Sequence, residues 1–143
     1  DLSGWKAGIE LGYKYRSLVD AKARFTYSPQ DNDSGCLLGI DRPEYVIDAA
    51  INVNPIDKLS VRLGYNMRGN RNVYSLQYVN GEEYWEKYDL LNVMDLNIGA
   101  SYRILNNLTV FVDAHNLMNK DWKIMPNFAA QKLNVMGGLS VQF

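Results

Sequence analysis

The amino-acid sequence predicts an all-β chain folded as an antiparallel transmembrane β-barrel, with about seven strands present. Three observations predict it. Apolar residues alternate with polar or small ones along seven successive runs, the period of a strand with two unlike faces. The runs approach the roughly 9–11 residues that a tilted strand needs to cross a bilayer, whereas strands of soluble domains run to about 5–6. Large aromatic residues gather near the run ends, where a membrane barrel carries its girdles, rather than mid-strand as in a soluble core.

The runs can be read in order. The first sets Trp5, Ala7, Ile9, Leu11, Tyr13 and Tyr15 against Lys6, Gly8, Glu10, Gly12, Lys14 and Arg16. The second sets Val19, Ala21, Ala23, Phe25 and Tyr27 against Asp20, Lys22, Arg24 and Thr26. In the third, Tyr45, Ile47, Ala49, Ile51 and Val53 share a face opposite Asp48. The fourth opposes Leu59, Val61, Leu63, Tyr65 and Met67 to Ser60, Arg62, Gly64, Asn66 and Arg68. The fifth opposes Met94, Leu96, Ile98, Ala100 and Tyr102 to Asp95, Asn97, Gly99, Ser101 and Arg103. The sixth has Leu108, Val110, Val112 and Ala114 against Thr109, Phe111, Asp113 and His115, and the seventh alternates from Leu133 to Phe143. A helix would scatter these apolar positions around its cylinder.

Composition narrows the function classes. The 143 residues contain no apolar stretch of helical-span length, are 47% hydrophobic and 22% charged, and carry a net charge of −1. That balance speaks against a nucleic acid held by bulk electrostatics. One cysteine, Cys36, and one histidine, His115, exclude a multi-cysteine metal site, an internal disulfide framework and a multi-histidine zinc centre. No cofactor is expected.

Connections alternate in length. Ser17-Leu18, Asn54 to Lys58 and Leu105 to Asn107 are short, while Pro29–Glu44, Gly69–Leu90 and Leu117–Lys132 are long. Short turns on the periplasmic side and longer loops outside are the pattern of outer-membrane barrels, and Pro55 falls in a turn, outside the ladder. Single-chain bacterial barrels have even strand numbers. Seven strands ending at the periplasmic face would start the first one outside the cell. The chain begins at Asp1, with neither methionine nor leader. Residues 1–143 are therefore expected to be the C-terminal portion of a larger barrel, without its plug domain. The rival is a complete eight-stranded barrel of structural or surface-binding role, needing a hidden strand near Gly69–Leu90.

The last 36 or so residues carry a family resemblance. The strand Leu108-Thr-Val-Phe-Val-Asp-Ala-His115 leads into Asn116-Leu-Met-Asn-Lys-Asp-Trp122. This resembles the penultimate strand of TonB-dependent outer-membrane receptors and its Asn-Leu-Phe-Asp/Asn-Lys-x-Tyr sequel, with Met118 for Phe and Trp122 for Tyr. The terminal Gly137-Gly138-Leu-Ser-Val141-Gln-Phe143 resembles their last strand. Gly138, Val141 and Phe143 also resemble the signal read by the barrel-assembly machinery, although Met136 stands where a polar residue is usual. The resemblance implies a barrel of about twenty-two strands around a plug, importing a scarce nutrient (ferric siderophore, haem, cobalamin or glycan). It implies as partners outer-membrane lipid, the remainder of the barrel and the plug, and a TonB complex engaged through an N-terminal part outside this sequence. The implied location is the bacterial outer membrane, and the implied activity is not enzymatic.

The polar positions Lys6, Glu10, Lys14, Asp20, Lys22, Arg24, Asp48, Arg62, Arg68, Asp95, Arg103 and Asp113 are expected to line the lumen, where alternation must put polar groups. Ion-paired wall lining is their plain reading, with ligand contacts falling on the long loops. Tyr74, Tyr78, Tyr84, Trp85 and Tyr88 make the Gly69–Leu90 stretch aromatic. They would either grip a ligand or stabilise a hairpin beyond the membrane by cross-strand pairing. His115 and Asp113 share a face, but no nucleophile accompanies them, so a rim role is expected and an outer-membrane lipase is disfavoured. Asp31-Asn32-Asp33-Ser34-Gly35 resembles the opening of a calcium loop without its closing ligands, and reads as a solvated turn holding an incidental Cys36. A soluble β-sandwich would require the apolar faces to pack on one another.

Overall fold

The computed structural model describes residues 5–29, 42–125, 128–129 and 131–142. The strands are β1 (Ala7–Tyr15), β2 (Val19–Tyr27), β3 (Arg42–Ile56), β4 (Leu59–Val79), β5 (Glu82–Leu90), β6 (Val93–Leu105), β7 (Leu108–His115), β8 (Lys123–Met125), β9 (Phe128–Ala129) and β10 (Asn134–Val141). One antiparallel sheet runs β1-β2-β3-β4-β6-β7-β10, with β5 paired to β4 alone and β8-β9 forming a separate small hairpin. No helix among the described residues is long and apolar enough to cross a membrane. Among those residues β1 and β10 do not pair, so the sheet is open rather than a closed cylinder.

The register puts like beside like. Ile9 stands opposite Phe25, Phe25 opposite Ile47, Ile47 opposite Met67 and Met67 opposite Met94. Lower down, Ile51, Leu63, Ile98, Ala114 and Val135 form a second row. These apolar rows are not covered by another sheet. Leu63 is 38% exposed, Ile98 40% and Leu139 69%, where a sandwich would bury all three. The buried apolar side chains among the described residues are Val73, Val93 and Ala114, all near the end with the long connections.

Aromatic residues mark both edges of the apolar band. At the end with the long connections, Tyr27 stands opposite Tyr45 and its ring lies 5.7 Å from that of Trp5. At the short-turn end are Tyr13, Tyr15 and Tyr102, with the Arg16 guanidinium 5.5 Å from the Tyr15 ring centroid. A nine-residue strand such as β2, rising about 3.4 Å per residue and tilted about 40°, spans close to the ~25 Å apolar band of an outer-membrane barrel.

The short turns are tied together. Asn54 donates to Ser17 O at 3.0 Å through its side chain and to Leu18 O at 2.7 Å through its amide. Arg103 donates to Asp57 O at 2.8 Å. Strand β3 runs on through the expected Asn54–Lys58 turn to Ile56. Pro55 sits in a bulge between the Val53 and Ile56 pairings, where its missing N–H costs nothing.

The largest difference from the sequence expectation is at Gly69–Leu90, which is not a loop. Strand β4 continues to Val79 and returns as β5, joined at Asn80 (φ 54°) and Gly81 (φ 84°), the left-handed pair that a two-residue hairpin turn requires. The extra strand is real, but it stands beyond the sheet on β4 and is not an eighth stave. Pairing within the hairpin satisfies the backbone there.

Two glycines are covered by rings. A Cβ at Gly69 would overlap the Tyr45 ring, and one at Gly138 would lie 2.7 Å from Phe111 Cζ. Gly138→Ala is therefore expected to lower the thermal unfolding midpoint of the detergent-solubilised full-length protein, and Phe111→Ala in the same chain should recover part of the loss. Leu63→Arg, at mid-band on the apolar face, is expected to cost about 2–4 kcal/mol, against well under 1 for Gln142→Arg at the rim, measured by denaturant unfolding in lipid vesicles.

Candidate functional site

The face opposite the apolar band carries the polar residues in transverse rows, each set by one step of register. The upper row is Glu10, Arg24, Asp48, Asn66 and Asp95, each directly opposite the next. Arg24 donates to Glu10 Oε2 through Nη2 at 2.5 Å and Nε at 2.8 Å. Asn66 donates to Asp48, and Asn97 donates to Asp95 Oδ2 at 3.2 Å. The next row, Gly12, Lys22, Ala50, Gly64 and Asn97, is small apart from Lys22 and Asn97. A hollow follows it, opening on the polar face and bordered by Glu10, Arg24, Asp48 and Asn66.

The third row contains an ion pair that skips a strand. Arg62 on β4 lies 3.2 Å from Asp113 Oδ1 on β7, although β6 runs between them. Gly99 on β6 sits opposite both residues, and the Asp113 carboxylate occupies the space its Cβ would need. The pair is more than half exposed on the Arg62 side, so it orders the wall more than it stabilises the fold.

Most of the expected lumen set therefore shares one face. Lys14 stands opposite Asp20, Lys22 borders the hollow, and Arg68 lies between Val46 and Val93 near the upper edge. Lys6 precedes β1 and takes no place in the ladder. Arg103 turns to a backbone carbonyl of the neighbouring short turn. His115 is exposed at the rim with Nδ1 3.2 Å from Asn97 Oδ1, and Asp113 is engaged with Arg62, so the two do not pair. Val141 pairs with Leu108 on the apolar face; Phe143, Cys36 and Asp31–Gly35 lie outside the described residues.

The aromatic stretch forms a projecting arm. In the register Leu76 stands opposite Trp85, Gln77 opposite Tyr84, Tyr78 opposite Glu83 and Tyr74 opposite Lys87. Tyr78 and Tyr84 are exposed near the tip, 65% and 45%, on opposite faces. Tyr88 donates its hydroxyl to Glu86, which raises the phenol above its usual pKa. The root is fixed. Arg71, 2% exposed, donates to Leu91 O at 3.2 Å, and the Asn70 amide donates to Asn92 Oδ1 at 3.0 Å.

Glu44, just outside the Tyr45 girdle, accepts from the Tyr27 hydroxyl at 2.7 Å and from the Asn70 side chain. Those bonds, Tyr27 first, lower its carboxyl pKa against the opposing effect of burial. A depressed carboxyl stabilises the fold above its unfolded pKa and loses that contribution as pH falls through the folded value. The arm root is expected to hold at neutral pH and to loosen only under acid, and Glu44→Gln should remove that step from the pH dependence of the unfolding midpoint.

Solved structures with this fold are outer-membrane receptors. The ferripyoverdine receptor of the outer membrane of Pseudomonas aeruginosa, bound to ferripyoverdine, aligns over 98% of this chain and 19% of its own, at 21% identity and a TM-score of 0.73. FpvA from Pseudomonas aeruginosa PAO1 bound to pyoverdine aligns over 98% and 21%, again at 21% identity and 0.73. The FpvAI–pyocin S2 complex aligns over 98% and 19%, at 21% identity and 0.74. The chain spans about a fifth of the length of these receptors. No family model matches it, and no curated protein matches it in sequence. The fold is similar to one segment of the barrel of these outer-membrane receptors.

Sequence reading did not single out Gly99, the Phe111–Gly138 pair, Arg71 or the bonding role of Asn116. Asn116 carried a signal as part of the family motif, and Gly138 as part of the terminal one, though neither pointed to these contacts. Gly99→Ala is expected to displace Asp113 from Arg62 and to cost no more than removing the pair by Arg62→Gln, with the double variant equal to either single one in denaturant unfolding.

Proposed function

We propose that this chain is the C-terminal barrel-wall portion of a TonB-dependent receptor in the bacterial outer membrane, importing a scarce nutrient. The observation that carries the reading is the alignment of nearly the whole chain with one strip of a siderophore receptor's wall. The uncovered apolar band and the polar opposite face support it, since one would meet lipid and the other a wet bore. The ligand class we infer is a ferric siderophore, because receptors of that cargo are the structural neighbours. In this reading the polar rows face the bore and the plug, and the arm projects outside with Tyr78 and Tyr84 available to ligand. Transport is powered through the plug and the TonB complex, and the barrel-assembly machinery inserts the wall through Gly138, Val141 and Phe143. The chain acts without enzymatic chemistry or a cofactor. Seven staves on one path, with β5 off it, weigh against a complete eight-stranded barrel.

Deleting the parent gene is expected to abolish energy-dependent uptake of radioactive iron from a cognate siderophore, with restoration by the full-length gene. Shortening the arm by removing 74–87 should leave the receptor in the membrane and weaken siderophore binding to intact cells by about tenfold or more, the scale of losing a few well-placed contacts. Unimpaired uptake of every ferric siderophore by the deletion strain would reject the iron assignment.

A further inference from the structure

The connection between β7 and β10 begins at Asn116, which is 4% exposed and held in the left-handed region at φ 51°. Its side chain is used on both sides. Asn116 Nδ2 donates to Lys120 O at 3.2 Å and to Gln131 O at 3.0 Å, while Oδ1 accepts from the Lys120 amide at 3.3 Å. The two ends of the connection are thereby held on one amide group. Asn119, also left-handed at φ 48°, adds a bond to the Leu133 amide at 3.3 Å.

The main chain of the same residue points the other way. The Asn116 N–H is shared by Asp95 Oδ1 and Asn97 Oδ1, both at 3.1 Å, and these side chains stand on the polar face of β6. Asn97 Oδ1 also lies 3.2 Å from His115 Nδ1, and its amide group donates to Asp95. Asn116 is therefore bonded to the polar wall through its backbone and to both ends of the outer connection through its side chain. A leucine of matching size would keep the backbone N–H but could bond neither end of the connection, and an aspartate could not donate to the two carbonyls.

We propose that Asn116 is a positioning residue that sets this outer connection from the inner wall. Asp95 and Asn97 hold its amide, its side chain closes the connection, and any hydrogen-bond donor or cation entering the bore at this height competes for the same two oxygens. What occupies the wall thus decides how firmly the connection is held. The inference rests on the barrel-wall fold and on the polar face being the inner one, but not on the identity of the transported nutrient.

Trypsin reads the clamp directly. Cleavage after Lys120 acts on the carbonyl that Asn116 binds, and cleavage after Lys132 acts on the peptide nitrogen that Asn119 binds. Both lysines are exposed. The test uses full-length receptor in detergent, with cleavage rates after Lys120 and Lys132 followed by mass spectrometry alongside the thermal unfolding midpoint. Asn116→Gly keeps the left-handed backbone at little cost and loses only the side chain; it should speed both cleavages about tenfold or more, as loss of several bonds from a locally opening segment requires. Asp95→Ala should speed them about threefold through loss of one carboxylate bond, while Asp113→Asn, two rows lower, should change neither. Asn119→Gly, which likewise keeps the left-handed backbone, provides a milder variant if Asn116→Gly lowers the midpoint, and should affect Lys132 more than Lys120. Wild-type cleavage rates in Asn116→Gly and Asn119→Gly would overturn the clamp. A fast Asn116→Gly with an unchanged Asp95→Ala would overturn its control from the wall. Because neither measurement involves iron, loss of the uptake assignment would leave this result standing.

Discussion

The structure depends on cross-strand register. Seven strands share it, and a slip of one residue anywhere would move apolar side chains onto the polar face and charges into the band. In an apolar medium the backbone must also be bonded strand to strand, because no water is present to bond it. Register and ladder therefore act as one constraint: the alignment that stacks Ile51, Leu63 and Ile98 is also the one that places Glu10 beside Arg24 and Asn66 beside Asp95.

Glycine and asparagine serve that constraint at different places. Gly99 leaves room for an ion pair to reach across a strand, and Gly138 lies under the Phe111 ring, both on the polar face. The left-handed asparagines stand where the wall ends. Asn70 marks the arm root, Asn80 its tip, and Asn116 and Asn119 the last outer connection. Asparagine tolerates that backbone region and brings an amide that can bond the freed peptide groups, so the same residue both bends the chain and satisfies it.

The arm and the last connection leave the sheet differently. The arm is an extension of one stave, with its own hairpin ladder and a root fixed by the buried Arg71. Among its described residues the last connection holds the short β8–β9 hairpin, and Asn116 and Asn119 bond its two ends together. The first is held by a local ladder, the second by a few bonds that reach the wall.

The fold was legible in the sequence because a strand with one apolar face and one polar face writes its geometry into every second residue. The seven staves from Ala7 to Val141, their apolar face and the short turns all follow from that period. The shared face of Glu10, Arg24, Asp48, Arg62 and Asp113 follows too, since alternation fixes which way a side chain points. It does not fix which partner lies across the gap, and so Asp113 turned out to bond Arg62 two strands away rather than His115 two residues away. Nor does it separate a long loop from a strand that continues past the membrane, as at Gly69–Leu90, where aromatic and charged residues pair across a hairpin. Those outcomes are long-range: they depend on register between segments far apart in the chain, and only the assembled sheet sets the distances that decide them.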